Sequence, residues 1–131
     1  MTVLLDTHVV LWLLADDPRL GPRARDRLAA AGERLVSTAS LWEIAIKVEL
    51  GKLHVPDDLP TRITAAGLGW LEPGAVHTWA VRDVRGMPHR DPFDRLLLAQ
   101  ASVERVALMT ADQALLDARL DPDVTRVDAR R

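Results

Sequence analysis

The sequence predicts an α/β fold with a central, mainly parallel sheet covered by helices on both faces. Two observations carry this. Short apolar runs of strand length alternate along the 131 residues with longer runs at helical spacing. The runs Thr2-Val3-Leu4-Leu5 and Val106-Ala107-Leu108-Met109 are almost wholly apolar rather than alternating, as in strands buried on both faces.

The elements follow in order. The first strand ends at Asp6. His8 to Ala15 reads as a helix broken near Pro18. Pro22 suits a first helical position, and that helix runs to about Ala31 with Gly32 behind it. Arg34 to Ser37 is a short second strand. Ala39 to Leu50 is a strong helix, because Leu41, Ile44, Ala45 and Val48 keep helical spacing and Gly51 can terminate it. Leu59 to Ala66 is a weaker helix, Gly69 to Glu72 a third strand, Ala75 to Val84 a helix and Gly86 to Arg90 a loop. Asp91-Pro92-Phe93-Asp94 combines an N-cap, a Pro at the first helical position and an acid in the first turn. That helix continues through Gln100. Val106 to Met109 is the fourth strand, Asp112 to Arg119 the last helix, and Val124 to Val127 a candidate edge strand.

The length fits a single domain over residues 1–131 with a core of its own. Cysteine is absent, which excludes disulfides and thiolate metal sites. The N-terminus has no basic segment of the signal-peptide kind, and Val9 to Ala15, the longest apolar run, is too short to cross a bilayer. A cytoplasmic protein with no membrane association is expected. The net charge of −2 is not that of a protein that grips nucleic acid with its whole surface. Arg outnumbers Lys 15 to 2 and Asp outnumbers Glu 14 to 5, a skew that genomic base composition explains more readily than function.

Four acids share one kind of place. Asp6 ends the first strand, Glu43 lies early in the helix after the second, Asp94 lies in a first helical turn, and Asp112 follows the fourth strand by three residues. In a parallel sheet such places converge on the carboxyl edge, where ligands bind. Any one of them alone is an ordinary helix-start acid. Together they are harder to dismiss. Glu43 is the one charge in Ser40-Leu41-Trp42-Glu43-Ile44-Ala45-Ile46, and Asp6 follows a wholly apolar strand. Burying such carboxylates is costly without a partner, and converging acids repel unless a cation sits among them. Hard oxygen donors suit Mg²⁺ or Mn²⁺, and such an ion can serve phosphodiester hydrolysis.

Four blocks, in order, make the chain resemble the PIN-domain family, and within it the VapC-type toxin ribonucleases of bacterial toxin–antitoxin pairs. They are Leu4-Leu5-Asp6-Thr7-His8-Val9-Val10-Leu11-Trp12, then Ser40 to Lys47 with Leu50-Gly51-Lys52-Leu53, then His89-Arg90-Asp91-Pro92-Phe93-Asp94-Arg95 through Ala101, and Leu108-Met109-Thr110-Ala111-Asp112. The resemblance covers nearly the whole chain. It implies a PIN-like three-layer α/β/α sandwich and a Mg²⁺- or Mn²⁺-dependent endoribonuclease. Asp6, Glu43, Asp94 and Asp112 would be the metal-binding catalytic acids. Asp91 would be a fifth acid or simply a helix cap. Thr110 would be a hydroxyl that orients Asp112 or a water. It also implies an RNA substrate, a homodimer, and a small VapB-like antitoxin whose C-terminal segment lies over the active site.

Other residues say less. His8 is the only histidine beside a candidate acid in sequence, and a hydrogen-bonding role is expected of it. Trp12, Trp42, Trp70 and Trp79 are expected in core or interface. The series Arg19, Arg23, Arg25, Arg27 reads as a solvated helix face, whereas Arg90 and Arg95 are placed to meet RNA or the acids. The helix holding Val9, Leu11, Trp12 and Leu14 is apolar on more than one side, which points to a dimer or antitoxin contact. A phosphoryl-receiver domain would need an acid pair after the first strand and a late Lys, but Thr7-His8 follow Asp6 and the only lysines are Lys47 and Lys52. An aspartyl-phosphate phosphatase would need an Asp where His8 stands. Nothing favours a PIN-like module without catalytic acids.

Overall fold

A computed structural model describes residues 1–131. The strands are β1 (Thr2–Leu5), β2 (Glu33–Ser37), β3 (Gly69–Leu71), β4 (Ala107–Thr110) and β5 (Arg126–Asp128). The helices are α1 (Thr7–Leu14), α2 (Pro22–Ala30), α3 (Thr38–Glu49), α4 (Leu59–Ala65), α5 (Ala75–Ala80), α6 (Pro92–Glu104) and α7 (Gln113–Asp117). All five strands are parallel, in the order β3-β2-β1-β4-β5. The chain winds outward from β1 through β2 to β3, then returns to the other side of β1 and winds through β4 to β5.

Parallel crossovers are right-handed, so two windings in opposite directions place their helices on opposite faces. Two apolar clusters match this arrangement. Val3, Leu5, Val36 and Met109 pack with Val9, Val10, Ala24, Leu28, Ile44 and Ile63 of α1 to α4. Leu4 and Leu108 point the other way, onto Leu97, Leu98 and Ala101 of α6 and Leu115 of α7. The unbroken apolar runs of β1 and β4 are thus explained: alternate residues serve opposite cores. Each fully buried Leu or Ile contributes roughly 1.5–3 kcal/mol.

After β1 and β2 the chain turns at once from strand into helix. Asp6 caps α1, with Oδ1 accepting from the Thr7 N–H, and Ser37 caps α3, with Oγ accepting from the Ala39 N–H at 3.1 Å. After β4, Asp112 caps α7. Strand-ending polar residues therefore stand at one edge of the sheet because they start the next helix.

Some boundaries differ from the sequence reading. The helix expected over Ala75–Val84 ends at Ala80 and closes in a 3-10 turn, Val81–Asp83. The last helix stops at Asp117 rather than Arg119. Ala118 turns extended, and the Arg126 guanidinium takes up the carbonyls of Leu115, at 2.8 Å, and of Ala118. The edge strand begins at Arg126, because Val124 is drawn into the second core. Trp42 and Trp79 are not core residues, being 63% and 66% exposed. Trp42 meets Phe93 edge-on at 5.2 Å, and the Arg82 guanidinium lies 4.2 Å over Trp79. No helix is long and apolar enough to cross a membrane.

Candidate active site

Strand order reverses between β1 and β4, and just outside their carboxyl ends lies a cleft of about 650 Å³. All four candidate acids line it, and so does Asp91. His8, Trp12, Lys47, His89 and Arg130 complete most of the wall.

Asp6 is the most firmly held. Its N–H donates to the Met109 carbonyl at 2.9 Å, tying the end of β1 to β4. Its Oδ1 accepts from the Thr7 N–H at 2.7 Å, and its Oδ2 accepts from the Thr110 hydroxyl at 2.7 Å. Thr110 meets Asp112, as the sequence reading allows, and has a second partner that reading did not give. Its hydroxyl orients the carboxylate of Asp6, and it reaches Asp112 only by accepting the main-chain N–H of that residue at 3.1 Å. The Thr7 hydroxyl donates to Glu43 Oε1 at 2.6 Å, with the Ser40 hydroxyl 3.1 Å away. Lys47, one turn along α3, lies 3.2 Å from the other Glu43 oxygen. Sequence reasoning singled out neither Thr7 nor Ser40, although both flank named acids in the matching blocks.

Asp91 is both a cap and a wall of the cleft, its Oδ1 accepting from the N–H groups of Phe93 and Asp94 at 2.9 and 3.1 Å. Asp112 caps α7 through Oδ1, which accepts from Ala114 at 2.9 Å. Its other oxygen meets His89, whose Nε2 lies 3.5 Å from Asp112 Oδ2 and 3.4 Å from Asp94 Oδ2. His89 is the residue that sequence reasoning missed. It stands beside Asp91 in the third block, but its second partner, Asp112, arrives only through the fold. His8 also lines the cleft, so it is not the only histidine near the acids. Arg95 does not meet the acids: it donates to the Val81 carbonyl at 3.2 Å. Arg90 is exposed and forms no ion pair.

Electrostatics follow from this crowding. Burial pushes the Asp6 carboxyl above the usual carboxylate range, against the lowering pull of its bonds from Thr110 and Thr7. Burial, then the charges of Asp6, Asp91, Glu43 and Asp112, push Asp94 up to about 7. Nearby cations are already committed, Lys47 to Glu43 and Arg130 to Asp128 and Gln113. Asp6, Asp94 and Asp112 have no Lys or Arg partner. This donor set fits a hard divalent cation: several carboxylates converge, no Lys or Arg is paired with three of them, and oxygens predominate.

A second groove, of about 630 Å³ and more apolar, runs between α1 and the segment before α4. It is lined by Leu11, Trp12 and Leu14 on one side and Leu53, Val55 and Leu59 on the other. His8 and Trp12 line both, so groove and cleft adjoin there.

A family model described as the PIN domain matches residues 3–119. The chain belongs to the PIN-domain family. This PIN domain is 31% identical over 134 residues to Ribonuclease VapC22 of Mycobacterium tuberculosis, covering 95% of the chain and 97% of that protein. Its fold is similar to that of a chain in VapBC2 from Rickettsia felis, solved bound to a DNA fragment from its promoter, with a TM-score of 0.71 at 16% identity and 98% of each chain covered. It is similar also to a chain of DNA-bound VapBC from Salmonella typhimurium, with a TM-score of 0.67 at 17% identity and the same coverage. The three-layer arrangement of this PIN domain, an all-parallel sheet between two helical layers, is the one these structures share.

Proposed function

We propose that this PIN domain is the ribonuclease toxin of a toxin–antitoxin pair, hydrolysing RNA phosphodiester bonds with a divalent cation, Mg²⁺ or Mn²⁺. The observation that carries the reading is the convergence of Asp6, Glu43, Asp94 and Asp112 on one cleft at the strand-order reversal, with no Lys or Arg paired to three of them. Kinship to a ribonuclease over 95% of the chain supports the same chemistry. We read the site of action as the cytoplasm, in keeping with an RNA substrate.

Asp6, Glu43, Asp94 and Asp112 would hold the ion, with Asp91 as a wall and helix cap. When bound, the cation supplies Lewis-acid activation of water and screens the charge that builds on the phosphate oxygens. Thr110 and Thr7 fix Asp6 in one orientation. Thr7 and Lys47 do the same for Glu43, so neither carboxylate need reorganise when an ion arrives. Asp94, raised to about 7, must give up its proton to serve as a ligand.

The antitoxin reading rests on the apolar groove adjoining the cleft at His8 and Trp12. A peptide seated on Leu11, Trp12, Leu14, Leu53 and Val55 is led by Trp12 and His8 directly to the acids. Kinship to VapC-type proteins further implies a homodimer, and the exposed Trp42, Val76 and Trp79 are apolar surface available to a second copy.

The test is RNA cleavage by purified, antitoxin-free protein. EDTA abolishes it, and added Mg²⁺ or Mn²⁺ restores it. Asp6→Asn and Asp94→Asn each lower cleavage by at least about a hundredfold while remaining folded. Undiminished cutting by both folded variants, or in excess EDTA, removes the mechanism.

A further inference from the structure

His89 lies between two of the acids, and those acids come from different elements: Asp94 from the first turn of α6, Asp112 from just past β4. Its Nε2, Asp94 and Asp112 offer three donor atoms within 4.8 Å of one another. An imidazole there can act in two ways. With a bare Nε2 it is a nitrogen ligand beside two carboxylates. With a hydrogen on Nε2 it donates to both carboxylates and holds them side by side.

The other ring nitrogen decides between these. The main-chain N–H of Asp91 donates to His89 Nδ1 at 3.3 Å, so Nδ1 is an acceptor and carries no hydrogen. In a neutral imidazole one nitrogen carries the hydrogen and the other accepts. The hydrogen is therefore on Nε2, facing the carboxylates. Nε2 stands 3.4 and 3.5 Å from Asp94 and Asp112, so its hydrogen faces both carboxylates without a close bond to either. The Asp91 N–H is free for this because a helix leaves its first N–H groups unused.

We infer that His89 is a positioning residue of the cation site rather than a ligand. Its Nε2–H, oriented by the main chain of Asp91, keeps Asp94 and Asp112 at the mutual separation that a shared ion requires. The same chain of contacts gives Asp91 its work: Oδ1 fixes the start of α6 and hence Asp94, while the N–H fixes His89. The inference rests on the reading of the cleft as a divalent-cation site. Donors of this kind behind metal-binding groups typically set affinity by about 10–100-fold. A nitrogen ligand would favour Mn²⁺ over Mg²⁺. A donor to oxygen ligands has no such preference.

The experiment is calorimetric titration of the full-length protein with Mg²⁺ and with Mn²⁺, for wild type, His89→Ala and His89→Gln. Nitrogen-15 shifts of the His89 ring in the metal-free wild type and electron spin-echo modulation of the Mn²⁺-loaded protein accompany it. His89→Ala should weaken both ions alike, by about 10–100-fold. His89→Gln, whose amide can donate from nearly the same place, should recover most of the loss. The ring should carry its hydrogen on Nε2, and no nitrogen should be coupled directly to Mn²⁺. A loss confined to Mn²⁺, a directly bound nitrogen, or a hydrogen on Nδ1 would overturn the inference. Unchanged affinity in folded His89→Ala, with wild-type binding intact, overturns it alone. A wild type that binds neither ion brings down the cation reading and this inference together.

Discussion

The hydroxyl of Thr110 donates to Oδ2 of Asp6 at 2.7 Å, across 104 positions of sequence and the boundary at which the strand order reverses. Both residues are buried. The bond therefore sets the orientation of the carboxylate from which the rest of the cleft is built.

Thr110→Val keeps the shape of the side chain and removes this donor. It should cost about 1–3 kcal/mol of stability, because a buried acceptor loses its partner. Divalent-ion affinity should fall by about tenfold or more, while Thr110→Ser stays near wild type. Chemical denaturation and calorimetric titration of the three proteins check this. Wild-type ion affinity in Thr110→Val would show that Asp6 is oriented without the hydroxyl.

Asp94 gives a pH dependence of definite sign. Its folded value is raised from 3.8 to about 7, so folding favours the protonated carboxyl. In ion-free protein its stabilising contribution is complete below about 3.8 and is lost as pH rises through about 7. The melting temperature in EDTA should therefore fall between about pH 4 and pH 7, and Asp94→Asn should flatten the fall. Asp6, raised in the same direction by burial, accounts for what slope remains. Ion affinity should run the opposite way, rising with pH and levelling above about 7. A melting temperature independent of pH in EDTA would contradict this.

Trp12 lines both the acid cleft and the apolar groove. Trp12→Ala should weaken binding of the cognate antitoxin by about thirtyfold or more, as expected for a buried aromatic anchor. Surface plasmon resonance with the purified pair measures it. Unaltered affinity would place the antitoxin elsewhere.

Gly86 has a φ of +85°, and a Cβ there would run into the carbonyl of Arg119. It follows Arg85, whose main chain pairs with Asp121 through bonds of 2.9 and 3.1 Å, and it opens the segment that delivers His89. Gly86→Ala should cost about 2 kcal/mol or more, combining strain and clash. Gly51→Ala provides the control. Its φ is +72° with nothing within 4 Å of the added carbon, so it should cost only about 1 kcal/mol. Equal melting temperatures for the two variants would mean that the contact with Arg119 imposes no constraint.

The class of fold, the order of its elements and the four converging acids are legible in the sequence alone. Each depends on short-range physics. Apolar runs such as Val3-Leu4-Leu5 must be buried on both faces. Asp6, Ser37, Asp91 and Asp112 satisfy the exposed N–H groups of helices that begin beside them, so strand ends, helix starts and acids can be read from the same few residues. Whatever depends on partners distant in sequence was left to the tertiary structure. Thr110 turns out to serve Asp6 as well as Asp112, because β4 lies beside β1. His89 joins the site because α6 and the end of β4 meet over it. The last helix is cut short by Arg126, a residue nine positions beyond its end. Trp42 and Trp79 stay exposed although both stand among apolar residues in the sequence, since such a stripe does not say which side of it the sheet will cover. Side-chain hydrogen bonds and burial are set by which elements become neighbours in space, and no local pattern encodes that.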